Sequence, residues 1–234
     1  MLILLIGIVV FLGVHSLTTL RETRTRLIEW LGPGPFKGLY SLVAIVGFVL
    51  IVWGFSRYRA EGLITLWTPP TWTRHLAISL MWFAFVALAC MNPAPGMIRG
   101  WLRHPMLVAI KIWALAHLLA NGDAGGMLLF GSFLAWAVFD RIAVKKRGDM
   151  GAERIASFTR ADATALGVGT IAYVAMIFLH PILIGGTRHR QVRLLNAVAA
   201  QTINRTKTFG SYALPSLDFI NKSFECLERR RHVV

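Results

Sequence analysis

The chain has little of what a soluble catalytic domain is built from. Only two of its 234 residues are cysteine, Cys90 inside an apolar run and Cys226 in the tail, which leaves no disulfide framework and no cysteine-spaced metal site. Charged residues make up 15% of the chain, and the 11 acidic ones are outnumbered by 25 Lys and Arg. Nothing in the sequence supports a nucleotide-binding fold or a hydrolytic triad. The formal charge of +14 would suit nucleic acid, yet no polar domain carries it. Anionic lipid headgroups are the simpler partner, and no nucleic-acid role is expected.

What is present is apolar: 56% hydrophobic residues, eight tryptophans and a mean hydropathy of +0.59. A soluble domain of this length could not cover so much apolar surface, and the charges fall between the apolar runs. The expected fold is all-α, a polytopic membrane helix bundle of about six transmembrane helices. The spans are set near Leu2 to Leu20, Gly38 to Phe55, His75 to Cys90, Pro105 to Ala120, Gly126 to Val144, and Ala163 to Ile184. The first span has no basic leader and no small-residue cleavage site, so it reads as a retained helix. Two regions follow, residues 1–185 as the transmembrane domain and 186–234 as a basic tail with room for a short surface helix around Leu194 to Ile203.

The fourth span is the one the rest is organised around. It opens at Arg103-His104-Pro105, carries Lys111 and His117, and stops at Asn121-Gly122-Asp123. Pro105 suits a first helical turn, where its missing N–H would have no intrahelical partner. With a rise of about 1.5 Å per residue, Lys111 and His117 lie roughly 10 and 20 Å beyond His104. His104 and Lys111 share a face while His117 points elsewhere, so one straight helix cannot offer both histidines to one ion. Lys111 either snorkels to the surface or meets an internal partner. Arg103 is either a topogenic charge or an anchor for an anionic group.

His15 lies in the polar third of the first span. A histidine in a lipid-embedded helix needs partners for its ring nitrogens, so it is either an interhelical hydrogen-bonding residue or a ligand. Gly13 would let another helix or a planar cofactor come close. The loop between the second and third spans holds Trp67 and Trp72 around Pro69-Pro70, and reads as an interfacial cap or as the rim of a pocket for an apolar ligand.

Lys and Arg concentrate in alternate loops. By the positive-inside rule, the N-terminus and the exit of the sixth span lie outside, against which the basic tail stands as an anomaly. Depth then groups His15, His104 and Lys111 in the inner half and His75, His117 and His180 in the outer half.

At this point the chain resembles the NnrU family of integral membrane proteins. The matching features are His15-Ser16-Leu17, Arg103-His104-Pro105, the run from Trp113 and His117 to Asn121-Gly122-Asp123, and Leu179-His180-Pro181. The resemblance implies a link to denitrification and nitric oxide reductase activity, in a bacterial inner membrane, with a respiratory nitrogen-oxide reductase or its assembly factors as partner. The family is also similar to the 15-cis-zeta-carotene isomerase, which uses haem b held by histidine. Carried over, that similarity makes His15 one ligand and His117 or His104 the other, with Arg103 and Lys111 available to the propionates. Two function classes follow: an accessory protein that binds haem, and a haem b-dependent isomerase or redox enzyme for a lipid-soluble substrate. A carboxyl methyltransferase of the isoprenylcysteine type shares Arg-His-Pro at a helix mouth, but the glutamate- and tyrosine-containing half of that site is missing from the basic loop. Transport would need charged, broken helices at the midplane, and these are not found.

Overall fold

The computed structural model of the chain describes residues 1–184 apart from 18 and 93. The expected tail helix, Cys226 and His232 lie outside the described residues. Eight helices run in order: α1 (Leu2–Ser16), α2 (Arg21–Leu31), α3 (Pro33–Glu61), α4 (Thr71–Ala89), α5 (Met97–Leu102), α6 (Pro105–Ala120), α7 (Ala124–Lys146) and α8 (Arg160–Ile184). All six apolar runs form helices, each with a sequence reason for its ends. The α3 helix follows Gly32 at φ 82°, with Pro33 in the first turn. The α7 helix starts where Asp123 caps it, its side chain accepting the amide of Gly126 at 2.8 Å. The α8 helix continues through Pro181 to Ile184.

Of the six expected spans, length and composition support four, or up to five. Four helices, α3, α4, α7 and α8, are long and apolar enough to cross, and a fifth counts only if α1 and α2, bent by 86°, are one broken span. The reason is local. The α1 helix ends at Ser16 after 15 residues, where the sequence turns from apolar to polar. The charged R-E-T-R-T-R segment then forms α2 across the axis of α1. The α6 helix has 16 residues between Pro105 and the Asn-Gly-Asp turn. At about 1.5 Å per residue that is roughly 24 Å, short of a hydrocarbon core of about 30 Å.

The long helices pack in the sequence α3, α1, α7, α6, α4, α8, each touching the next. Their inward faces are small, as expected where lipid removes the usual hydrophobic drive and close backbone approach must supply the attraction. Gly7 lies against Leu50 and Ile51, Gly47 against the backbone of Phe11, and Gly54 against Ile3 and Leu4, which fixes α1 and α3 as antiparallel. Ala77, Ala84 and Ala87 on α4 and Ala109, Ala114 and Ala116 on α6 are buried. Large aliphatic side chains such as Leu42, Ile45, Val52, Ile171 and Ile182 face outward, where lipid would cover them. Leu4, Ile8, Ile51, Ala114, Leu129 and Phe130 form the central core.

This arrangement sorts the connections into two ends. One holds the start of α1, the 62–70 loop, the 121–123 turn and His180. The other holds α2, residues 91–104 and the basic 145–160 loop.

Candidate functional site

The Asn121-Gly122-Asp123 turn is tied to the 62–70 loop. The Gly122 carbonyl accepts the amides of Leu66 at 2.7 Å and Trp67 at 3.1 Å, the Ala124 amide donates to Ile64, and Thr65 bridges Asp123 in antiparallel fashion. Tyr58, almost fully buried, accepts the Ile64 amide and packs so closely on Gly125 that no side chain fits there. The loop is therefore a cap on the end of α6, as one of its two sequence readings expects. The signature turn is a clamp rather than a ligand set.

What the clamp holds is His117, one turn earlier. The carbonyl of His117 accepts both the amide and the side-chain Nδ2 of Asn121, each at 2.9 Å. Its imidazole Nδ1 lies 2.9 Å from the Trp113 carbonyl. A carbonyl only accepts, so Nδ1 carries the proton and the lone pair of the neutral ring is at Nε2. The ring stacks on Phe130, with centroids 4.4 Å apart and planes at 26°, and lies 5.3 Å from Trp113. From α8, His180 comes within 6.3 Å of it, centroid to centroid.

His15 is held in a different neighbourhood. Its Nδ1 donates to the Phe11 carbonyl at 2.7 Å, which fixes the same tautomer, and its ring touches Phe11, Tyr40 and Trp136. Between the two histidines run Phe11, Phe133 and Trp113, with successive centroids 5.6 and 5.5 Å apart. His15 and His117 share an aromatic network without being brought together. At Gly13 an added methyl group would meet open space, so no second helix comes close there.

His104 and Arg103 are at the opposite end of the described unit. Arg103 sits at φ 63° and ψ −53°, and the His104 amide donates to the Leu102 carbonyl at 2.7 Å, a γ-turn of the rare, strained hand. The 149–152 loop holds it there: the Ala152 amide donates to the Arg103 carbonyl at 2.9 Å, and the Arg103 guanidinium donates to the Met150 carbonyl at 3.1 Å. His104 Nε2 is buried against Gly151 without a hydrogen-bond partner. Thirteen residues of helix put His104 about 20 Å from His117. Lys111, half-exposed, lies within electrostatic reach of Arg141. The inner group suggested by depth, His15, His104 and Lys111, is thus spread over three neighbourhoods.

The same end is locked by a residue the sequence reading passed over. Asp162 is almost fully buried and accepts the amides of Met97, Ile98 and Thr159 at 2.8–2.9 Å and the Thr159 hydroxyl at 3.1 Å. Its one sequence signal is an acid in the first turn of an apolar helix, a common position for a simple charge–dipole contact. A further buried acid, Asp140, leaves Oδ1 without a hydrogen-bond partner on the Trp136 side of α7.

An apolar groove of about 270 Å³ runs between α4 and α6, lined by Met81, Ala84, Phe85, Leu88, Ala109 and Ile110, and ends at Trp113, one turn from His117. It does not involve Trp67 or Trp72, which a pocket rim at the 62–70 loop would have required. Among the described residues, no three His, Cys, Asp or Glu side chains gather closely enough to hold a metal ion. A naked zinc ion takes about four protein donors, whereas iron in a porphyrin receives four nitrogens from the macrocycle and needs one or two more. Single or paired imidazoles in apolar, aromatic surroundings suit the second case. Among the comparisons with known proteins, no curated protein and no solved structure matches the chain. The family model described as NnrU protein matches residues 3–187, which spans every helix described above; the chain belongs to the NnrU family.

Proposed function

We propose that this membrane-embedded NnrU protein binds haem b, in a bacterial inner membrane, and serves the assembly or activity of a respiratory nitrogen-oxide reductase. The haem reading rests on one observation: His117 presents an Nε2 lone pair from a ring whose other nitrogen, stacking partner and backbone are all fixed. A ligating histidine normally donates its second ring nitrogen to a carbonyl or carboxylate in this way, which orients the ring and raises its basicity. Haem held there would supply a redox-active iron tuned by its axial donors. The accessory role rests on the resemblance that links the family to denitrification.

The test is the oxidised and dithionite-reduced absorption spectrum of protein purified in mild detergent from haem-replete cells. A Soret band that is lost or altered in His117→Ala supports the reading, and its absence from the wild type defeats it. Deletion of the gene is expected to abolish nitric oxide reductase activity, while the purified protein alone turns nothing over.

The groove beside Trp113 favours a second reading, a haem-dependent isomerase or redox enzyme acting on an apolar, lipid-soluble substrate. It requires a substrate-dependent change in the haem spectrum, and bulky substitution at Ala109 should remove that change.

A further inference from the structure

We infer that His180 is the second axial ligand, facing His117 across the iron; this rests on the haem reading above. His104 and His15, the two partners the resemblance offers, are not brought to His117. His104 belongs to the same rigid helix about 20 Å away, and His15 is separated from His117 by the rings of Phe11, Phe133 and Trp113. Among the described histidines, His180 is the one in ring contact with it, at 6.3 Å between centroids with the planes at 44°. That spacing has a chemical meaning. Two iron–nitrogen bonds of about 2.0 Å each, plus the distance from each nitrogen to its ring centre, place two axial imidazoles roughly 6 Å apart. Imidazoles in direct van der Waals stacking would sit nearer 4 Å, as His117 and Phe130 do at 4.4 Å. The spacing of His117 and His180 is thus compatible with one iron held between them, and equally with a tilted ring contact such as that of Phe85 and Tyr173 at 6.3 Å.

The fold supplies reasons for His180 to be there. The α8 helix does not stop at Pro181, so His180 keeps a helical backbone and a set height opposite the end of α6. Around it Phe178, Leu179 and Ile182 are exposed, on the surface that lipid would cover. The α4 helix, which touches both α6 and α8, holds the two histidine-bearing helices on one scaffold: Gly169 lies against Val86, and Trp82 Nε1 donates to Thr170 Oγ1 at 3.0 Å.

The experiment compares low-temperature EPR and absorption spectra of the full-length protein with those of His180→Ala, His180→Met, His15→Ala and His104→Ala. The wild type should be low-spin and six-coordinate. His180→Ala should become high-spin and recover the low-spin signal on adding imidazole, His180→Met should stay six-coordinate at a higher midpoint potential, and the other two should match the wild type. Circular dichroism and gel filtration on each variant separate ligand loss from misfolding, and the methionine variant keeps the test open if the alanine variant does not fold. A low-spin spectrum unchanged in His180→Ala but lost in His15→Ala or His104→Ala overturns the pairing while leaving haem binding intact. A wild type without haem overturns both.

Discussion

Gly122 lies directly under the carbonyl of Trp67, with no space between them for a single methyl group. The same glycine carbonyl accepts the Leu66 and Trp67 amides, so neither strand of this contact can withdraw without breaking the other. Gly122→Ala is expected to cost about 1–3 kcal/mol, the range for overpacking a tight contact. A thermal melt in detergent reads it, and a variant that melts with the wild type would show that the 62–70 loop does not bear on the turn.

Asp162 joins the start of α8 to the start of α5 through two accepted hydrogen bonds, from Met97 and Ile98, and accepts two more from Thr159 just before α8. Asp162→Ala leaves three buried amides and one hydroxyl to find other partners, at about 1–3 kcal/mol for each group left unsatisfied. Asp162→Asn keeps one acceptor oxygen and should fall between alanine and wild type. The ranking of the three melting temperatures is the measurement, and equal values for alanine and asparagine would contradict it.

Gly7 and Gly13 sit six residues apart on α1 and differ in what they face. A methyl group on Gly7 would come within 2.6 Å of the Ile51 amide nitrogen, whereas one on Gly13 meets nothing within 4 Å. Gly7→Ala should lower the melting temperature, and Gly13→Ala should leave it unchanged or raise it, since alanine is favoured over glycine inside a helix by roughly 0.5–1 kcal/mol. Reversal of that order would disprove the register of α1 on α3.

Arg103 adopts a positive φ that a side chain disfavours. Arg103→Gly and Arg103→Ala both lose the bond to Met150, and only alanine retains the strain. The glycine variant is expected to melt above the alanine variant by the equivalent of about 1–3 kcal/mol, and the reverse order would show that the turn relaxes in solution.

The two ends of the described unit should face opposite sides of the membrane. In a background with both native cysteines replaced, Leu63→Cys should react with an impermeant thiol reagent in intact cells, and Asp149→Cys only after permeabilisation. The opposite pattern would invert the orientation read from the basic loops.

The sequence by itself determined that the chain is an α-helical membrane protein, where its six apolar helices lie, and that Pro33, Pro105 and Asp123 begin three of them. These are local properties. Apolar run length, proline and glycine chemistry and capping act within one turn of the residues that carry them. It also determined depth, because a helix rises by a fixed amount per residue. His117 and His180 were therefore already in one group, together with His75. Azimuth was not determined, since the direction a helix turns toward its neighbours depends on which faces approach most closely. That choice is made by pairs such as Gly7 with Ile51, Gly47 with Phe11, and Gly169 with Val86, far apart in sequence. Only the tertiary structure decided that His15 belongs with Tyr40 and Trp136 while His117 meets His180. The same non-local packing turned Asp162, one acid in an apolar helix, into the clasp between α5 and α8.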